Sequence, residues 1–321
     1  MAYERRDVAR RRMLLKKAIF SSTGGTGPET PRAPGHVVTG TVLDASPHIL
    51  VIANEAGAEE RFALKETTSA WRGAAVPPAS LSPGCRIVLR RHGQRRVAER
   101  IWADIGRVTG TIVERTGNML LVDQGHTRGR GLLVFSDRSS ARILVRFPKL
   151  EPGYLIDVIG VRRGGAVEGL VPATSQPPYH SDHVPRAALV RGHVPDTISG
   201  SASWHEPIDD PPGLAGAAYP ALDPSSGCEA DAGPCDSAVS CARLPYLSIG
   251  STLVVRNDCS GASGGVQVTA CGSAASRFCD RCLTCGMSPR GRIVELTMAS
   301  FVELGGDLHE GCFKTTIRIG G

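Results

Sequence analysis

The densest chemistry in this chain lies in its cysteines. Nine of the ten (Cys228, Cys235, Cys241, Cys259, Cys271, Cys279, Cys282, Cys285 and Cys312) fall in the C-terminal third of the 321 residues, and Cys85 stands alone upstream. Cys279-x2-Cys282-x2-Cys285, with Cys271 before it, offers four thiolates at separations that suit tetrahedral zinc. The strong zinc pattern is two Cys-x2-Cys pairs across a loop, which this is not. Dense cysteine in one small module instead marks a disulfide framework in an oxidising compartment. Disulfides are therefore expected, with no metal and no cofactor. Nine is odd, so one thiol is left over, and spacing does not give the pairing. His180-Ser181-Asp182-His183 can also hold a metal, but histidines in a proline-rich stretch are ordinarily solvated. Asp223, Asp258, Asp280 and Asp307 are further carboxylates able to move a proton; Asp258 after Asn257 and Asp307 after Gly306 suit turns.

The elements that position these groups read as strands. Val38-Thr39-Gly40-Thr41-Val42 recurs seventy positions later as Val108-Thr109-Gly110-Thr111-Ile112, and Ile49-Leu50-Val51-Ile52 as Met119-Leu120-Leu121-Val122. Phe62 and Leu64 align with Leu132 and Val134, and Leu81-Ser82-Pro83-Gly84 answers Leu150-Glu151-Pro152-Gly153 with a one-residue slip. Two copies of one unit follow, residues 36–103 and 104–172. Period-two alternation broken by Gly and Pro predicts four or five short strands in each, enough for a small closed barrel. The Gly-Thr-Val opening and Leu-x-Pro-Gly turn resemble OB-like repeats of exported bacterial proteins. Such barrels bind chains through exposed aromatics. Here Trp71, Trp102, Phe135, Phe147 and Tyr154 are better used as core, so a spacer role is expected. A proline-rich linker covers 173–197.

The last module, 198–321, predicts strands at Gly250–Asn257, Gly265–Thr269, Gly291–Thr297 and Cys312–Ile319. A short helix from Met298 to Leu304 is capped by Thr297 and stopped at Gly305. Gly200-Ser201-Ala202-Ser203-Trp204, then Gly250-Ser251-Thr252-Leu253-Val254-Val255-Arg256-Asn257, then Gly291-Arg292-Ile293-Val294-Glu295-Leu296-Thr297 with Phe301-Val302-Glu303-Leu304-Gly305 follow one another. In order and spacing this resembles the double-psi β-barrel of rare lipoprotein A-like lytic transglycosylases and expansins. The resemblance implies a cleft for a polysaccharide and an acid that protonates a glycosidic oxygen. Two of the implied site positions are changed: the aspartate of the transglycosylases falls on Ala270 and their histidine on Cys241. Glu295 matches the expansin-type aspartate, and His205 takes a place usually filled by an aromatic hydroxyl. Glu295 and His205 are thus the catalytic candidates, and Trp204, Tyr219, Asp258 and Glu295 the ligand-binding ones.

Charge supports an address more than a nucleic-acid partner. The formal charge of +6 is concentrated in Arg5, Arg6, Arg10, Arg11, Arg12, Lys16 and Lys17, so the body of the chain is nearly neutral and lacks a phosphate-binding footprint. The arginines Arg86, Arg90, Arg91, Arg95, Arg96 and Arg100 read as a solvated hairpin edge. Arg11-Arg12-Met13-Leu14-Leu15-Lys16 resembles the twin-arginine export motif, which marks residues 1–35 as a leader. No apolar run is long enough for a membrane-spanning helix. The sequence therefore predicts an exported all-β protein of the cell wall or extracellular space, with two OB-like barrels and a disulfide-bonded double-psi barrel that binds polysaccharide without catalysis. A glycan-cleaving enzyme with a rebuilt acid, or a structural surface protein without ligand, are the alternatives.

Overall fold

The computed structural model describes residues 36–93, 95–125, 128–173, 180–183, 196–206, 215–223 and 241–319. The expected leader and most of the linker lie outside the described residues. The first repeat forms β1 (Val37–Ala45), β2 (Ile49–Asn54), β3 (Glu59–Ala63), β4 (Ser69–Trp71), β5 (Ala75–Val76), β6 (Arg86–Arg91) and β7 (Ala98–Ala103). These make one sheet in the order β3-β2-β1-β6-β7-β4-β5, its free side tied back by a single bridge between Ala63 and Val97. The second repeat forms β8 (Ile105–Thr116), β9 (Met119–Asp123), β10 (Arg130–Val134), helix α1 (Asp137–Arg146), β11 (Leu155–Arg163) and β12 (Ala166–Pro172). It closes fully, in the order β10-β12-β11-β8-β9, because β10 runs parallel to β12 for three residue pairs. In the first repeat β4 takes that parallel place beside β7, which leaves β3 only the one bridge.

The shared motifs have shared physical causes. Gly40 and Gly110 are required because a β-carbon at either would collide with a carbonyl oxygen of the neighbouring strand, Ala53 or Asp123. Both copies carry a bulge at the same point, between Val42 and Asp44 and between Ile112 and Glu114. Gly84 and Gly153 hold φ of 87° and 88° at the Leu-x-Pro-Gly turn, where proline fixes one corner and glycine supplies the left-handed one. The alignment of β3 with β10 needs correction. Leu50 pairs with Phe62, but Leu120 pairs with Leu133, so Phe62 answers Leu133 and Leu64 answers Phe135. A slip of one residue turns every side chain to the other face, and burial agrees: Phe62, Leu133, Leu64 and Phe135 are all core. The extra residue sits in the β9–β10 connection, which runs from Asp123 to Arg130, where β2–β3 runs only from Ala53 to Glu59. Helix α1 was not expected; Ser136 and Ser139 cap each other across its first turn and Ile143 anchors it on the barrel.

The third unit forms β13 (Thr197–His205), β14 (Ala217–Tyr219), β15 (Thr252–Asn257), β16 (Ser263–Cys271), α2 (Ser273–Ser276), β17 (Arg292–Thr297), α3 (Met298–Glu303) and β18 (Cys312–Ile319). Its six strands close in the order β13-β17-β14-β16-β15-β18. Thr297 caps α3 by accepting from the Ser300 amide, and Gly305 follows it with φ 76°. Disulfides Cys241–Cys279, Cys259–Cys285 and Cys282–Cys312 staple this barrel, and Cys271 is also disulfide-bonded. Cys228 and Cys235 lie outside the described residues. Every thiol of the considered zinc set is disulfide-bonded in this structure. Cys85 is free and buried in the first repeat. Among the described residues no helix is long and apolar enough to cross a membrane.

The repeats are built into the third barrel. One apolar core runs from Trp71, Val88 and Trp102 through Ile105, Ile159 and Val161 to Trp204, Val294 and Phe313. Trp102 donates its indole N–H to Asp307 at 2.7 Å, and the Trp71 ring stacks on His309. The arginines expected to form a solvated edge partly turn inward: Arg100 reaches Asp307 at 3.4 Å and Arg86 reaches Glu206 at 3.9 Å. In the stretch expected to be a linker, the Ser181 amide donates to the Gly153 carbonyl and His180 packs edge-on against Tyr154. Among the described residues no cluster suited to a metal ion occurs.

Candidate functional site

Two parallel strands bring Glu295 and His205 onto one face. β13 lies beside β17 with Ser203 opposite Glu295 and His205 opposite Thr297, and residues two apart on a strand share a side. The second repeat closes over that face. Arg128, from the lengthened β9–β10 connection, pairs with Glu295 Oε2, while Arg292 Nη1 donates to Glu295 Oε1 at 3.1 Å. Arg292 Nη2 also donates to Asp280 at 2.9 Å and to Asp157 of β11 at 2.6 Å. Arg107 of β8 grips both oxygens of Asp157, at 2.8 and 2.6 Å, and donates to the Gly311 carbonyl at 2.7 Å. Thr109 adds a hydroxyl to Asp157 at 2.7 Å. Three guanidinium groups and three carboxylates thus form one continuous network, every side chain in it 8% exposed or less.

Burial alone would push these carboxyls toward the neutral acid. At Asp157 it is overridden by Arg107 and Arg292, and at Glu295 by Arg128 and Arg292, so both are held below the usual carboxylate range. Arg292 loses by burial and regains more from Asp280, Asp157 and Glu295, which keeps it charged. His205 is compensated only in part, by the Glu295 charge and the Glu206 backbone. Burial first, then the Arg128 charge, depresses the imidazole to about 4, so it is neutral at physiological pH. Neither ring nitrogen makes a hydrogen bond of normal geometry among the described residues, although the Glu206 backbone is near enough to favour the charged ring slightly.

A cavity of about 310 Å³ opens beside this network, between the second repeat and the third barrel. Arg86, Arg107, Arg128, Arg130 and Arg162 line it, together with His205 and Glu206. Glu206 is paired with Arg162 and approached by Arg86, and these three residues also form the wall of a second cavity of about 140 Å³ against the first repeat.

The other candidates lie apart from this face. Trp204 is fully buried; its indole donates to the Leu308 carbonyl at 2.8 Å and Arg107 covers the ring at 5.5 Å, so no face is open to a sugar. Tyr219 is core, its hydroxyl donating to the Pro245 carbonyl at 3.1 Å. Asp258 sits at the β15–β16 turn with Thr316 and Arg256 as partners. Ala270 lies in β16 opposite Ala218, and Cys241 is bonded to Cys279. Neither position supplies a proton-transferring group.

Four network residues escaped the sequence reading: Arg107, Arg128, Asp157 and Arg292. Asp157 carried a signal, a lone charge inside Leu155-Ile156-Asp157-Val158-Ile159, where a buried carboxylate demands a partner. No protein-family model matches the chain, and no curated protein matches it.

Proposed function

We propose that the chain is an exported, non-catalytic glycan-binding protein of the cell wall or extracellular space. In this reading the third unit is a double-psi barrel of the rare lipoprotein A-like and expansin-like kind, and the repeats are OB-like. A six-strand barrel with two parallel pairs, β13/β17 and β14/β16, supports the first assignment. A five-strand barrel closed by one parallel pair, with a helix after its third strand, supports the second. Stapled cysteines support the oxidising location.

The observation that carries the non-catalytic reading is the state of Glu295. A general acid needs a carboxyl held protonated near neutral pH and a path to the leaving oxygen. Glu295 is 0% exposed, ionised, and clamped from both sides by guanidinium groups. Groups of this kind act as structural anions. The test is sedimentation of the full chain with insoluble peptidoglycan and with cellulose, beside a muropeptide-release assay of wild type and Glu295→Gln. Co-sedimentation with no release is expected. Release that disappears in Glu295→Gln would establish the enzyme instead, and failure to sediment with any glycan would leave a structural protein.

A further inference from the structure

We propose that the cavity between the second repeat and the third barrel is a binding site for an oxyanion, a carboxylate or phosphate group borne on the glycan. The inference rests on the glycan reading for the polymer but not for the anion. Five guanidinium groups line or enter the cavity, while the carboxylates they touch number three: Asp157, Glu206 and Glu295. The surplus is therefore positive. Arg130, exposed on β10, has no ion pair among the described residues, which leaves its fork of N–H donors available to a ligand there.

His205 is the second and independent observation. It is 8% exposed, it lines the same cavity, and both ring nitrogens are without partners among the described residues. A buried polar group left unsatisfied carries a desolvation penalty that a ligand can relieve. Because the imidazole is neutral, one nitrogen donates and the other accepts, which suits a sugar acid: the N–H to the oxyanion and the free nitrogen to a ring hydroxyl. Arg86, Arg162 and Glu206 line both this cavity and the second one, so the two lie side by side along the junction. An anionic polymer fits this surface better than a neutral one.

Gly165 gives a way to close the site without touching a charge. It lines the cavity, its φ is not left-handed, and a β-carbon there meets nothing within 4 Å. The experiment titrates the full oxidised chain with galacturonate, inorganic phosphate and a neutral methyl galactoside, at two ionic strengths. Binding of both anions, weakened by salt and absent for the neutral sugar, is expected. Arg130→Ala should weaken it at least about five-fold, in line with the loss of a charge-assisted hydrogen bond. Gly165→Phe should abolish it. Arg61→Ala, which removes the same charge from an exposed pair with Glu59, should leave it unchanged. Equal binding of the neutral sugar, no binding of either anion, or affinity unaltered in both Arg130→Ala and Gly165→Phe would overturn the oxyanion site. Sedimentation with polygalacturonate or peptidoglycan that survives both variants undiminished would remove the oxyanion site yet keep the glycan reading. Phosphate binding lost in both variants, without sedimentation on polygalacturonate or peptidoglycan, would keep the site and remove the glycan.

Discussion

Replacing Asp157 by valine removes one carboxylate that two buried guanidinium groups share. Arg107 would lose both of its carboxylate bonds and keep the Gly311 carbonyl; Arg292 would keep Asp280 and Glu295. Breaking one side of a buried pair costs about 3–5 kcal/mol, because the survivor stays buried without compensation. Two partly compensated survivors place Asp157→Val at about 4 kcal/mol. The first repeat supplies the control. Thr109 pairs across the sheet with Asp157 as Thr39 pairs with Val88, and Val37 precedes Val38 as Arg107 precedes Val108. Val37 and Val88 pack on the shared core. The double variant Arg107→Val/Asp157→Val installs that pair and should lie within about 2 kcal/mol of wild type, a coupling of about 2 kcal/mol or more. Urea unfolding with the disulfides intact, followed by the fluorescence of the buried Trp102 and Trp204, measures both. The pH dependence has a definite sign. A carboxyl depressed in the fold contributes fully above its unfolded value of about 4 and loses that contribution as pH falls through the folded value. The gap between wild type and Asp157→Val should therefore narrow below about pH 4. A single-variant cost under about 1 kcal/mol, or costs that simply add in the double, would refute a network held by mutual compensation.

Two further outcomes follow from the same structure. His205 is buried neutral at about 4 in the fold and titrates near 6.5 when unfolded, so the unfolded chain binds the extra proton between those values. Stability should fall by about 3 kcal/mol as pH drops from 6.5 to 4, and His205→Phe should flatten that window in thermal unfolding. The bridges Cys241–Cys279, Cys259–Cys285 and Cys282–Cys312 span 38, 26 and 30 residues, which corresponds to about 3–4 kcal/mol each from loop closure. Reduction should therefore unfold the third barrel as read by near-ultraviolet circular dichroism, and added zinc should not restore it; zinc-driven refolding of the reduced chain would contradict the disulfide framework.

What the sequence made legible was what local periodicity writes. Alternation, the glycines at 40 and 110, the Leu-x-Pro-Gly turns and the Thr297 cap each encode a local geometry, and each is where it was expected. Three features were not legible in this way. The one-residue shift at Leu133 was invisible because Leu132, Leu133 and Val134 are all apolar and give no preferred face. Helix α1 is hidden by Ile143-Leu144-Val145, whose branched side chains read as strand, although Ser136 and Ser139 form a capping pair at its start. The charged network joins β8, the β9–β10 connection, β11 and β17, and no spacing rule links residues so far apart. Glu295 and His205 were found because a resemblance pointed to them; their partners were not, because those come from a different module.

The duplication also bears on why the charges are there. At matched positions the first repeat meets the third barrel with Val37 and Val88, the second with Arg107 and Asp157. An apolar pair holds such an interface as well as an ion pair or better, since neither partner must be desolvated. Adhesion between modules therefore does not explain the charged version. The second repeat also has one more residue in its β9–β10 connection, and that connection carries Arg128 to Glu295. Arg128 meets Glu295 directly and Asp157 is joined to it through Arg292, while Arg107 and Arg128 line the same cavity. Arg128 and Arg292 hold Glu295 as an anion, and Arg130 and His205 line the cavity beside it, which is what the proposed oxyanion site requires and interface adhesion does not.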